Sequence, residues 1–166
     1  DDETIGINRS VPQLAAERGR IEQLALTMQQ QAQQVREVTL EQAREWLSPQ
    51  YQRRLGIDRE DADARVRELL DSLALHSGLI QRRDGGYSFA HYTFQEYMAA
   101  RALDGLDSQP GKPDSVAFLL ERADDQRWHE TLLLAAGHWG GSSYTLPKSE
   151  RLVHGLLDRA TLDALL

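Results

Sequence analysis

The side chains with most chemistry to offer are five histidines, at positions 76, 91, 129, 138 and 154. They show no metal-ligand spacing, and His129-Glu130 lacks the second histidine four residues on that a zinc-hydrolase helix requires. Cysteine is absent, which excludes a thiolate site, a cysteine nucleophile and a disulfide framework. The 166 residues contain no G-x-x-x-x-G-K-[ST] phosphate loop and no G-x-S-x-G elbow. Gly85-Gly86 and Gly140-Gly141 read as turn formers. Asp124-Asp125 reads as a pair at a helix start, where the helix dipole accounts for it. No nucleophile, base and orienting group come together, so the chain is not expected to be an enzyme.

His91 stands apart from the other four. It falls within Tyr87-Ser88-Phe89-Ala90-His91-Tyr92-Thr93-Phe94-Gln95-Glu96-Tyr97-Met98-Ala99-Ala100, between the end of one element and the start of a helix. A helix N-terminus offers unpaired amides and a partial positive charge. An imidazole beside it can donate a proton to a phosphate oxygen. The competing reading is a histidine that bonds a local carbonyl, and position alone leaves both open.

The elements that place His91 follow from periodicity. Pro12 opens a helical stretch in which Ile21, Leu24, Ala25 and Met28 share a face, and its Gln-rich tail reads as a solvated helix end. Val35 to Val38 alternates like a short edge strand. Thr39-x-x-Gln42 is a capping box opening a helix that Ser48-Pro49 is expected to break. A polar connector leads to a helix buried through Ala62, Val66, Leu69, Leu70 and Leu73, with Gly78 just past its end. Leu79 to Arg83 and Tyr87 to Phe89 then read as a hairpin, with Asp84-Gly85-Gly86 supplying positive φ. Helix, short strand, helix, helix, hairpin is the order of a winged helix. Thr93-x-x-Glu96 reads as a second capping box, with Tyr92 and Tyr97 as a hydrophobic staple. Ala99, Ala100 and Ala102 favour helix and admit a close neighbour. Val116 to Leu120, Trp128 to Trp139 and Leu152 to Leu157 give further helices, with Ser142 to Pro147 as a loop. The fold class expected is mainly α: a winged helix followed by an α-helical bundle or repeat segment. Its parts are an N-terminal connector at 1–20, a winged-helix domain with a trailing helix at 21–106, a linker at 107–114, and the start of a helical, HEAT-like domain at 115–166.

Nineteen basic against 26 acidic residues give a net charge of −7, and the pI is about 5.2. A DNA-reading winged helix needs a basic stripe. The helix from Asp61 to His76 instead sets Asp61, Asp63, Glu68 and Asp71 against Arg65 and Arg67, with Arg82 and Arg83 the supporting pair in the wing. DNA binding is therefore the weaker alternative, beside a protein-interaction adaptor. No apolar run approaches the roughly 18 residues that span a bilayer, and DDETIGINRS is unlike a signal peptide. A cytoplasmic location and no membrane partner are expected. The first residue is not Met and the chain stops within a helical phrase, ATLDALL, so a piece of a larger protein is expected.

The phrase carried by Phe89, His91, Thr93, Phe94, Gln95, Glu96, Tyr97, Ala99 and Ala100 resembles the F-x-H-x-[ST]-F-Q-E-[YF]-x-A-A motif ending the winged helix of NACHT-type STAND NTPases, which include NOD-like receptors and bacterial defence relatives. Ser77-Gly78-Leu79-Ile80, Leu24-Ala25 with Met28-Gln29, and Trp128 through Gly137 are similar to other stretches of that family, so the resemblance covers roughly residues 20–140. It implies a regulatory segment of a signalling nucleotide switch. His91 would contact the β-phosphate of ADP held by an intramolecular nucleotide-binding domain. Exchange for ATP with Mg would free the winged helix and let the parent form a homo-oligomer. Phe89, Phe94 and Tyr97 would pack, and Thr93 and Glu96 would cap. Without Walker motifs, the segment itself would hold no cofactor.

Overall fold

The structure, a computed structural model, describes residues 11–31, 35–107 and 114–163. Seven helices and a three-stranded sheet follow one another: α1 (Val11–Gln30), β1 (Glu37–Val38), α2 (Leu40–Leu55), α3 (Arg59–His76), β2 (Ile80–Arg83), β3 (Gly86–Phe89), α4 (Tyr92–Ala102), α5 (Ser115–Leu120), α6 (His129–Gly140) and α7 (Leu146–Asp163). The class is mainly α, a winged helix with a helical segment behind it. Helix α1 is continuous through residue 20, so no break separates a connector from the winged helix there. Residues 108–113 of the expected linker lie outside the described residues. Its two ends do not: Asp114 caps α5 through the amides of Val116 and Ala117, and Asp107 accepts from Ser115 N.

The caps at α2 and α3 form as their local sequences dictate. Thr39 and Gln42 exchange side-chain and backbone bonds at α2, and Asp58 caps α3. Gly56 and Gly78 adopt positive φ just past the two helices, a conformation without steric cost only for glycine. Pro49 does not end α2, which runs on to Leu55. The carbonyl its missing N–H would have bonded is that of Glu45, an exposed residue, and water can satisfy it. Pro147 likewise sits in the first turn of α7, where an amide is not required, so the expected loop ends before Leu146.

The sheet order is β1-β3-β2, all antiparallel, with Val38 opposite Tyr87 and Ile80 opposite Phe89. Arg83 pairs with Gly86 across a two-residue turn, yet neither Gly85 nor Gly86 has positive φ. Gly86 is needed for a different reason: a Cβ there would overlap the carbonyl of Val38, so glycine lets β1 close onto β3.

One hydrophobic core runs through both parts. Leu24, Ala25, Leu47, Val66, Leu70, Ile80 and Tyr87 fill the winged helix and continue through Ala99, Ala100 and Leu103 to Leu132, Ala135 and Trp139. Helix α4 is the shared element: α1 packs along one side of it and α6 along another, with α7 on α6. The alanines of α4 permit both approaches. In α7, Leu152 is buried while Val153 and Leu157 are exposed, because α5 and α6 cover only one narrow face. No helix among the described residues is long and apolar enough to cross a membrane.

Candidate functional site

The hairpin delivers His91 to the head of α4. Ala90 N–H donates to Leu79 O at 2.9 Å and closes the base of the wing. His91 follows in extended conformation, φ −132° and ψ 142°, and is the residue immediately preceding α4. Its carbonyl accepts from Phe94 N at 3.0 Å. Its side chain makes no capping hydrogen bond. The imidazole is exposed and meets the ring of Phe94 edge to face, centroids 5.3 Å apart. The imidazole thus sits exposed at a helix start, without a side-chain capping bond.

The capping box expected at Thr93 and Glu96 does not form. The helix begins two residues sooner, with Tyr92 as its first residue, so Glu96 is too far along to reach back. Glu96 turns inward instead and is 7% exposed. Burial is the main cause that pushes its carboxyl up to about 6, Glu130 across on α6 adds to this, and Arg36 opposes it. The staple is absent too. Tyr92 OH donates to Gln29 Oε1 at 3.2 Å, and Tyr97 lies under Arg101. Of the three aromatics expected to pack, Phe89 is buried, but Phe94 and Tyr97 are 40% and 37% exposed. The buried face of α4 is made by Gln95, Glu96, Ala99 and Ala100, and helical spacing leaves Phe94 and Tyr97 off it.

Gln29 has a role that periodicity missed. It was expected in a solvated helix end, yet it is 4% exposed. Its amide donates to Arg127 O at 2.5 Å, and its oxygen accepts from Tyr92 and from the buried Gln95. Gln95 also donates to Val35 O. Two buried glutamines therefore tie α1, the approach to β1, the first turns of α4 and the turn before α6 into one polar junction directly behind His91. The sequence signal was present but weak: Gln29 lies one residue from the buried face, beside Met28. A further polar knot lies at the other end of α4, where Asp104 accepts from Trp139 Nε1 at 2.8 Å and lies 3.0 Å from His138 Nε2 and 3.2 Å from Lys148 Nζ. Lys148 also pairs with Asp107.

The remaining histidines assemble no second centre. His129 lies 3.0 Å from Ala123 O and His138 serves Asp104. No group of three or more metal-ligating side chains occurs among the described residues. On α3, Arg59 pairs with Asp63 and Arg65 with Glu68, and Arg82 of the wing pairs with Asp71. Each of these cations already faces a carboxylate.

Three helices with a short strand between the first two and a hairpin after the third define a winged helix-turn-helix domain. The chain belongs to the family described as the winged helix-turn-helix domain C-terminal to NACHT, which it matches over residues 3–103. That match ends where α4 ends. No curated protein and no solved structure matches the chain. A domain of this family is non-catalytic and is associated with a NACHT nucleotide-binding domain in the same polypeptide.

Proposed function

We propose that the chain is the regulatory winged helix, with its adjoining helical segment, of a cytoplasmic NACHT-type STAND NTPase, and that His91 locks the inactive state. The observation that carries this reading is the exposed, uncapped imidazole of His91 at the start of α4. There it can donate to the β-phosphate of ADP held by the NACHT domain, and the helix dipole favours the same anion. A bond of this kind is worth about 1.5–3 kcal/mol, below the roughly 4 kcal/mol of even millimolar binding. The nucleotide and its Mg are therefore held by the NACHT domain, and His91 senses them. Replacement of ADP by ATP breaks the contact, the winged helix moves away, and the parent oligomerises in its signalling role in defence.

The test is His91→Ala in the parent protein with its NACHT domain. Faster loss of bound ADP and a rise in oligomers without stimulus are expected. Unchanged ADP retention together with an unchanged monomer fraction refutes the lock.

A further inference from the structure

The His91 side chain is exposed and makes no capping bond, so the backbone on either side sets its place. On one side Ala90 N–H donates to Leu79 O at 2.9 Å. On the other, the Tyr92 hydroxyl donates to Gln29 Oε1 at 3.2 Å. We infer that Gln29 is a positioning residue for His91: by holding Tyr92 from the end of α1, it fixes the peptide that carries the imidazole to the ADP phosphate. This rests on the reading of His91 given above and adds to it a residue from another helix.

Three observations carry it. Gln29 and Gln95 are 4% and 1% exposed, so their amides find their partners within the protein. The Gln29 amide, moreover, fits only one way round. Its oxygen accepts from Tyr92 and, at 3.5 Å, from Gln95 Nε2, while its nitrogen donates to Arg127 O at 2.5 Å. Turned over, the nitrogen would meet the Gln95 donor and the oxygen would meet the Arg127 carbonyl. Tyr92 and Gln95 are three residues apart and neighbours on the first turn of α4, so a single oxygen holds that turn at two points. Finally, the anchor is itself braced. Arg127 Nη1 donates to Gln31 O at 3.0 Å, and the same guanidinium is paired with Asp125. The turn before α6 therefore joins the end of α1 at residues 29 and 31 and supplies the acceptor that orients the Gln29 amide. Filling the space alone would call for an apolar side chain of similar size rather than a carboxamide bonded at both its oxygen and its nitrogen.

The experiment measures release of labelled ADP from the parent protein carrying Tyr92→Phe, Gln29→Leu, His91→Ala, or either of the first two combined with His91→Ala. The melting temperature of each variant is recorded alongside. Tyr92→Phe removes the hydroxyl and keeps the ring, and is expected to speed release about threefold, in keeping with the loss of one neutral hydrogen bond. Gln29→Leu is expected to speed it further, but by no more than His91→Ala does. In the His91→Ala background neither substitution is expected to speed release again, because a residue that acts through His91 has nothing left to position. A glutamine that merely stabilised the fold would lower the melting temperature and add its effect in both backgrounds, and such additivity overturns the proposal. Fast release from His91→Ala with wild-type release from Tyr92→Phe and Gln29→Leu overturns the positioning role and leaves the lock standing. Wild-type release from His91→Ala overturns the two together. Should Gln29→Leu fail to fold, Tyr92→Phe with and without His91→Ala decides by the same criteria.

Discussion

Glu96 is the residue whose replacement tests the packing behind His91 most directly. Its carboxyl is buried between α4 and α6, makes no hydrogen bond among the described residues, and titrates at about 6 against an ordinary value of 4.5. Burial dominates that rise, with Glu130 adding and Arg36 subtracting. Because the folded value exceeds the unfolded one, the folded protein binds the proton more tightly. Stability is then unaffected below about pH 4.5, falls as pH rises through the window from 4.5 to about 6, and stays reduced above it. The full gap corresponds to at most about 2 kcal/mol, and partial access of water to the carboxylate tip brings the expected penalty to about 1 kcal/mol. Glu96→Gln keeps the shape and removes the charge. Thermal melts followed by circular dichroism are expected to place the variant above wild type by about 2–4 °C at pH 7.5, with the difference vanishing at pH 4.5. A variant equal to or below wild type at pH 7.5 refutes the argument, for it would mean that the ionised carboxylate is compensated in the folded state.

Two further perturbations read other parts of the same frame. Asp104→Ala strips the partner from the buried Trp139 indole and from Lys148, and is expected to cost about 1–3 kcal/mol by chemical denaturation at pH 7. Burial raises the Asp104 pKa, but the bonds from His138, Trp139 and Lys148 outweigh it and hold the carboxyl below its ordinary 3.8, so this contribution is present above that value and is lost as pH falls through the lower folded value. Gly86→Ala forces a Cβ onto the Val38 carbonyl and is expected to cost about 1–3 kcal/mol, with the amides of Val38 and Tyr87 losing hydrogen-exchange protection before those of α2 and α3.

A buried ionisable group such as Glu96 is a local conflict of the sort that folds keep near functional sites. It lies one helical turn and a half from His91, on the side of α4 facing the helical segment.

What the amino-acid sequence determined by itself was everything encoded within a few residues or within one helical face. The Thr39 and Gln42 cap closes across four positions, so it forms wherever that segment goes. The apolar spacing of Ala62, Val66, Leu69 and Leu70 decided a helix, and the change of period at Leu79 decided the hairpin, which together placed His91 between a wing and a helix. Tertiary structure decided what lay across from each face. A helical repeat marks which residues point the same way, but not which neighbour covers them, and so Gln29 passed for solvated tail, Phe94 and Tyr97 for core, and Glu96 for a cap. The proline in α2 was tolerated because the carbonyl it frees belongs to an exposed residue, and Gly86 is glycine because β1 arrives from nearly fifty residues upstream. Those outcomes depend on atoms brought together from distant parts of the chain, where local pattern carries no information.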